Sequence, residues 1–316
     1  MGFGGFSHPL FLKVESEEPC MWSVRHAVEQ FIQSLELTPG QREACNEKQT
    51  RLREALQGGL GAQTTFLSGS YGRNTAIRPL HDIDIFVVLR EISLAPHGSG
   101  KPLEESQHEL LLRVHGVLRK EWTNKEPPHI QRRSINIEFS GKGLDFDVVP
   151  AFKLSGRDAF LIPERGTNRW IQTNPRLHAE RCREADRVAG HMLNPLIKTV
   201  KHWNREQQSS PLRSFHLEAM SYGAFRAPPA NGGKLETLKT LFEHLTASVQ
   251  RPCPDPAHLG EHVDANMSVT QRVAAQQVLN SAAVELGHVL REEPSDPAMA
   301  HRRLRRLFGN AYRDHG

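Results

Sequence analysis

The sequence predicts an α+β fold, with a mixed sheet and flanking helices in the N-terminal half and helices in the C-terminal half. Two observations carry this prediction. Short β-branched and aromatic runs, typical of strands, occur between residues 65 and 149. From Ala151 onward such runs stop, and the remaining apolar residues have helical spacing. We therefore divide the chain into a sheet-containing core with N-terminal helices, residues 1–155, and a mostly helical domain, residues 156–316.

Size and composition are typical of a globular protein with two ordinary cores. The chain has 316 residues, of which 24% are charged and 38% hydrophobic. No run approaches the ~18 apolar residues of a membrane span, and no signal peptide is evident, so we expect a cytoplasmic protein without membrane contact. A net charge of +4 is too small to require a nucleic-acid partner. Four widely separated cysteines indicate neither a zinc site nor a disulfide framework.

Two helices precede the first strand. Apolar residues from Val24 to Leu35 recur with the 3.6-residue period of a buried helix face. The run from Thr38 to Gln41, Thr-Pro-Gly-Gln, is typical of a capping box with proline in the first turn. We expect this second helix to run to about Leu56 and to end at the glycines of residues 58–61.

The next stretch combines a small-residue turn with two spaced carboxylates. Gly69 and Ser70 follow an apolar segment and precede one that can turn helical, so their N–H groups and the serine hydroxyl would converge on a phosphate. Residues 83–89 predict a central strand. Because side chains alternate along a strand, Asp82 and Asp84 share one face at its rim. Such a pair beside a phosphate cradle suits Mg²⁺.

A second acidic pair follows. After a loop at residues 95–100 and a helix over about 105–122, residues 135–149 predict a hairpin whose returning strand carries Asp145 and Asp147 and ends at Pro150. One of these aspartates joins the first pair if the hairpin lies beside the central strand. The alternative is that all four are solvated strand and turn residues.

The C-terminal half is predicted to be helical. Asn194 and Pro195 open a helix as N-cap and first residue. On it Lys198, Lys201 and Arg205 form a basic stripe at i, i+3 and i+7, which faces either phosphates or solvent. Further helices are expected at about residues 211–225, 234–249, 268–291 and 297–308. The basic run 301–306 either meets a polyanion or, as we interpret it, forms a solvated helix face.

Taken together, these motifs resemble the DNA polymerase β-type nucleotidyltransferases, and within them the bacterial cGAS/DncV-like nucleotidyltransferases of CBASS antiphage systems. The central stretch is similar to the G-S…D-x-D motif of that family. Residues 146–152, Phe-Asp-Val-Val-Pro-Ala-Phe, resemble the third-carboxylate strand of the related 2′-5′-oligoadenylate synthetases, which selects Asp147 over Asp145. Residues 195–203 are similar to the spine helix of those synthetases, whose lysine at the Lys201 position touches the donor triphosphate.

The resemblance implies a polymerase β-like core that makes a cyclic di- or trinucleotide from nucleoside triphosphates, ATP among them. It implies two-metal phosphoryl transfer with Mg²⁺, or Mn²⁺ in its place. The catalytic, metal-binding residues would be Asp82, Asp84 and Asp147. The nucleotide-binding residues would be Gly69, Ser70, Lys198, Lys201 and Ser214.

Two departures from the related families bear on the partners. The zinc-binding insertion with which animal cyclic GMP-AMP synthase engages DNA is missing, so no obligatory nucleic acid is expected. The Gln-Tyr pair of the synthetases is Ser214-Phe215 here, which keeps a hydroxyl for phosphate but loses the tyrosine hydroxyl. The product would act on a separate effector protein. The end of the chain at Gly316 is either a site of regulatory conjugation or a frayed terminus.

Other functions are compatible with the same motifs. A linear oligonucleotide synthetase, or an enzyme that modifies tRNA or another acceptor, would use the same aspartates. A catalytically inactive nucleotide sensor would not need them, because no structural need keeps clustered carboxylates.

Overall fold

The computed structural model describes residues 1, 21–92, 106–139, 144–167, 170–208, 212–230 and 233–315. The helices in these ranges are α1 Val24–Ser34, α2 Pro39–Leu60, α3 Gly69–Gly72, α4 Gln107–Glu121, α5 Pro175–Val188, α6 Leu193–Glu206, α7 Ser214–Ser221, α8 Lys234–Ser248, α9 Val269–Glu292 and α10 Pro297–Phe308. The strands are β1 Thr64–Leu67, β2 Asp82–Ile92, β3 His129–Ile130, β4 Ile135–Glu138, β5 Asp145–Leu154, β6 Phe160–Ile162 and β7 Ile171–Thr173. The α+β prediction is confirmed. Of these helices, none has the length and apolar character needed to cross a bilayer.

The sheet is mixed, with strand order β1-β2-β5-β4-β3 and with β6 joining β5 to β7. The central pair, β2 and β5, is parallel, and the other pairs are antiparallel. The predicted hairpin is therefore present as β4 and β5, and its second strand lies beside the D-x-D strand. The turn at residues 140–143 and the loop at 95–100 lie outside the described residues.

Alternation along β2 gives the sheet two different faces. Ile83, Ile85 and Val87 are fully buried in a core formed with the leucines of α2 and α4. Phe86 and Val88 face the other way and pack with residues of β5 and β6. Helices α1 and α6–α10 form a separate apolar core. The two aspartates of β2 thus belong to the face opposite α2 and α4.

The sheet extends further than predicted. Pro150 does not end β5, and β6 and β7 follow after residue 155, so the expectation of no strands beyond Ala151 is wrong. A proline fits within β5 because β4 pairs only as far as Val148 and β6 begins to pair at Phe152, which leaves position 150 with one neighbouring strand. The division into two domains stays a prediction, with the sheet running on to Thr173.

Several helices differ from the predictions, and α7 is shorter than the predicted 211–225. The second helix continues through two glycines to Leu60, and Gly61 ends it in the left-handed region at φ 62°. Helix α5 was not predicted, although Asn174 caps it by accepting from the Leu177 N–H. The predicted N-cap Asn194 lies inside α6, because Asp186 at the end of α5 accepts its backbone N–H at 2.9 Å.

The C-terminal tail is held in place up to His315. The Trp22 N–H donates to the Asp314 carbonyl at 2.8 Å. Tyr312 is buried, and its hydroxyl lies 2.7 Å from His301 Nδ1. The tail is therefore not frayed as far as these contacts reach, while Gly316 lies outside the described residues.

The basic run of residues 301–306 on α10, predicted to be solvated, is only partly exposed. Arg302 and Arg306 are exposed, as expected. In contrast, His301 is buried, and Arg303 pairs with two glutamates of α9. The basic run is therefore divided between solvent and the packing of α10 against α9.

Candidate active site

Gly69 and Ser70, the predicted phosphate cradle, lie in a tight turn between β1 and β2. Gly69 opens α3 with φ 58°, in the left-handed region that favours glycine. The Ser68 N–H donates to the Asp84 carbonyl at 2.8 Å, which fixes the turn against β2. A Cβ on Gly69 would collide with the Asp84 carboxylate. The turn and the carboxylate therefore approach closely only because residue 69 has no side chain.

This close approach predicts a specific effect of Gly69→Ala. Gly61 is a matched control, since it has φ 62° but no atom within 4 Å of the place that an alanine methyl would take. Both substitutions should cost about 1–2 kcal/mol of unfolding free energy for the left-handed backbone. Gly69→Ala should also displace Asp84 and lower kcat by roughly 10²-fold, whereas Gly61→Ala should not. Equal kcat values for the two variants, measured beside denaturant unfolding, would contradict this role.

Four aspartates lie on one face of the parallel pair. In register, Asp82 is opposite Asp145 and Asp84 is opposite Asp147, about 4.8 Å apart by strand spacing. The Asn136 side chain donates to Asp147 Oδ1 at 2.9 Å. One oxygen of Asp145 is buried without a hydrogen-bond partner among the described residues. The four carboxylates thus form two adjacent pairs.

The carboxyl groups of these aspartates differ in how far their pKa values are shifted. Burial, followed by the charges of Asp82 and Asp147, raises the pKa of Asp84 to about 7. Burial also raises the pKa of Asp147, while the hydrogen bond from Asn136 opposes the rise. Asp84 therefore needs a nearby cation to stay ionised below neutral pH.

The aspartates of this face have the type of ligand atom that a divalent metal ion requires. Their donors are carboxylate oxygens, the hard ligands that Mg²⁺ prefers. In the described residues, no three acidic, histidine or cysteine side chains surround a single point closely enough to hold an ion by themselves. Mg²⁺ commonly takes the rest of its ligands from substrate phosphates and water. The turn at Gly69 lies against the Asp84 carboxylate, so a phosphate bound at this turn would lie beside the carboxylates.

The raised pKa of Asp84 predicts how metal binding depends on pH. A proton must leave this carboxyl before a metal binds, so the affinity for Mn²⁺ should rise with pH up to about 7 and then level off. Without metal, native Asp84 holds a proton that the unfolded chain releases near the ordinary pKa of 3.8. This carboxyl should therefore lower the unfolding free energy as pH rises towards 7.

Electron paramagnetic resonance of free Mn²⁺ between pH 6 and 8.5 measures the binding. Asp84→Asn serves as the control and should remove the rise. An affinity that is already flat from pH 6 upward in the unsubstituted protein would contradict the prediction.

A buried ion network joins the turn to the C-terminal helices. Glu218 of α7 accepts from Arg73 Nε at 2.8 Å, from Lys201 Nζ at 2.9 Å and from the Thr75 hydroxyl at 2.9 Å. Lys201 Nζ also donates to the Thr75 carbonyl at 2.9 Å. Although burial opposes it, the two cations hold the pKa of Glu218 below its usual value. The ring of Phe215 lies 4.8 Å from the Arg73 guanidinium.

Of the predicted basic stripe on α6, Arg205 is exposed, but the two lysines are not on the surface. Lys198 and Lys201 are 2% and 3% exposed, and each is neutralised by a carboxylate, Glu36 at 2.6 Å and Glu218 respectively. Carboxylates from other elements capture these lysines, so spacing along α6 alone does not describe their environment. The binding of nucleotide by Lys198 or Lys201 stays a prediction.

Ser214 lies exposed at the first residue of α7, a helix start without a side-chain cap. Its predicted contact with phosphate is therefore sterically open, and it too stays a prediction.

Sequence reasoning missed Arg73 and Glu218. Arg73 interacts electrostatically with Asp84 and lies directly after the Gly-Ser-Tyr-Gly turn. Glu218 is four residues after Ser214, hence on the same side of α7. Glu218 is the one acidic side chain of α7, and its place one helical turn after a candidate phosphate ligand was the available signal.

Comparison with known proteins relates the chain to one family. Residues 22–186 match the family model described as "Second Messenger Oligonucleotide or Dinucleotide Synthetase domain". A "Cyclic AMP-AMP-AMP synthase" of Acinetobacter sp. is 29% identical over 264 residues, which cover 78% of this chain and 72% of that protein. The "CBASS oligonucleotide cyclase CdnC" of Escherichia coli is 27% identical over 228 residues, 68% of this chain and 69% of that protein.

Solved structures share the fold. E. coli CdnC in complex with HORMA-deltaN superposes with a TM-score of 0.75 at 19% identity, covering 92% of this chain and 98% of that one. Vibrio cholerae DncV in its apo form gives a TM-score of 0.74 at 14% identity, covering 93% and 97%. The polymerase β-like core and the C-terminal helices are therefore those of this structural group.

Proposed function

Because the chain belongs to the second messenger oligonucleotide or dinucleotide synthetase family, we propose that its aspartate face and Gly69 turn together perform nucleotidyl transfer. The chain is a nucleotidyltransferase of the cGAS/DncV-like type and makes a cyclic di- or trinucleotide in CBASS antiphage defence. The observation that carries the assignment of the site is the contact of the turn with Asp84, whose neighbour in register is Asp147.

Asp82, Asp84 and Asp147 would hold two Mg²⁺ ions, or Mn²⁺ in their place. When bound, these ions neutralise charge on the phosphates and activate the acceptor hydroxyl. Asp84 contributes to both the metal site and the turn, which couples nucleotide position to the carboxylates. Asn136 holds Asp147 in orientation through its 2.9 Å hydrogen bond.

The triphosphate would lie against Gly69 and Ser70 at the start of α3. Lys201 and Arg73 bring positive charge behind this turn, and Glu218 keeps both in place. Ser214 would donate to a phosphate from the start of α7. For Lys198 to bind nucleotide, it would exchange its carboxylate partner Glu36 for a phosphate.

We propose ATP as substrate and a cyclic triadenylate as product, because two relatives at 29% identity are cyclic AMP-AMP-AMP synthases. The protein would be incubated with ATP and Mg²⁺, treated with phosphatase and analysed by mass spectrometry. The expected product is a phosphatase-resistant cyclic species of three AMP units. Asp84→Asn, the control, should give none.

The same experiment separates the alternative functions. A linear oligonucleotide with a phosphatase-sensitive 5′-triphosphate as the only product would favour a linear synthetase. Transfer only after tRNA is added would favour an acceptor-modifying enzyme. No product with any triphosphate, although nucleotide binds, would favour a sensor.

The partners follow from the same assignment. The cyclic product would act in the cytoplasm on a separate effector protein, without an obligatory nucleic-acid activator. Regulatory conjugation through Gly316 stays a hypothesis. The described part of the tail ends at His315, which forms a β-bridge with Met21.

A further inference from the structure

A cavity of about 680 Å³ opens beside residues 78–81, directly before Asp82 in the chain. It lies between α1, these residues, the end of α6 and the tail at residues 310–313. Its size is within the range of small-molecule sites. None of the residues assigned above to metal or nucleotide lines it. The walls are fixed, since the Arg78 N–H donates to the Leu35 carbonyl at 3.1 Å and the tail is hydrogen-bonded to Trp22.

The cavity is positively charged. Three arginines line it, Arg78, Arg205 and Arg313, against one carboxylate, Glu206. Within the described ranges, none of the three guanidinium groups has a hydrogen bond or an ion pair within 4 Å. In contrast, Arg25 elsewhere on α1 pairs with two glutamates. Three guanidinium groups that lack ion-pair partners and line the same cavity favour an anionic ligand. The planar guanidinium group matches the spacing of phosphate oxygens, so phosphate is a suitable anion.

The cavity also has an aromatic wall and a link to the catalytic face. Trp22 lines it and is half-buried, which leaves part of its ring for stacking on a planar group. His81, directly before Asp82, is another lining residue. Arg205 interacts electrostatically with Asp82. An anion in the cavity would therefore compete with Asp82 for Arg205.

We propose that this cavity binds a nucleotide through its phosphates, at a site additional to the triphosphate turn. The ligand is either an intermediate of the reaction, a linear oligonucleotide, or a free mononucleotide that regulates the enzyme. Both present phosphates to Arg78, Arg205 and Arg313 and a base to Trp22. The proposal does not depend on which product the enzyme makes.

Photolabelling of the full chain tests the site. The probe is 8-azido-ATP in EDTA, with labelled peptides identified by mass spectrometry. Peptides carrying residues 22–35 or 309–313 should be labelled. In the double variant Arg78→Gln/Arg313→Gln, the probe concentration needed for half-maximal labelling should rise roughly 100-fold. Each charge-assisted contact contributes about tenfold to the affinity. The control Arg302→Gln/Arg306→Gln removes the same charge from two exposed arginines of α10 and should label normally.

Competition distinguishes the two sources. Displacement of the probe by linear triphosphorylated diadenylate at lower concentration than by ATP identifies a reaction intermediate. Displacement by ATP at equal or lower concentration identifies a free nucleotide, and either result supports the site. Labelling confined to residues 66–73, or reduced equally in both double variants, would overturn the proposal.

Discussion

Asp147→Asn is expected to lower the rate of nucleotide synthesis by roughly 10³-fold or more, and Asp145→Asn by less than about tenfold. The two residues share a strand face but have different neighbours. Asp147 is opposite Asp84, the carboxylate in contact with the turn, and Asn136 orients it. Asp145 is opposite Asp82 and next to Glu138, at the far end of the group. A lost metal ligand costs several kcal/mol of barrier, at about 1.36 kcal/mol per decade.

Initial rates at saturating ATP and Mg²⁺ measure both variants, and binding of ATP should persist in each through the Gly69 turn. A thermal melt adds an independent reading. Burial, then the neighbouring acids, raise the pKa of Asp145, and one of its oxygens has no hydrogen-bond partner in the described residues. Asp145→Asn should therefore melt no lower than the parent protein. An active Asp147→Asn beside an inactive Asp145→Asn would reverse the assignment.

Local patterns predicted the parts of the site that lie within one element. Alternation in β2 placed Asp82 and Asp84 on one face because a strand has a fixed two-residue period. The capping box at Thr38 formed as expected because its partners are three residues apart. The hairpin brought Asp147 beside Asp84, since its strands are close in sequence and its second strand pairs with β2.

Local sequence patterns could not predict contacts between elements that are far apart in the sequence. The Asn-Pro signature occurs at residues 174 and 194, yet it caps a helix only at the first, because Asp186 of α5 accepts the N–H of Asn194. Strands β6 and β7 have three residues each, too few to show alternation. The burial of the two α6 lysines was not predicted, because their partners Glu36 and Glu218 come from other segments.

Glu218→Ala is expected to lower the unfolding free energy by about 3–5 kcal/mol, because it leaves two buried cations without their counter-charge. The Glu218 side chain is 1% exposed and holds Arg73 and Lys201, themselves 8% and 3% exposed. The melting midpoint should fall by on the order of 10 °C. Glu184→Ala is the control: its carboxylate pairs with Arg187 at the surface, so its loss should leave the midpoint unchanged.

ATP should restore part of the stability that Glu218→Ala loses. If Arg73 and Lys201 reach the triphosphate, their unpaired charges in the variant gain the phosphates as partners, and ligand binding to the folded state raises its stability. The rise in melting midpoint on adding ATP in EDTA should then be larger in Glu218→Ala than in the parent protein, while Glu184→Ala should match the parent. Equal rises in all three proteins would mean that neither cation contacts the triphosphate, and Lys201 would then be a structural partner of Glu218 alone.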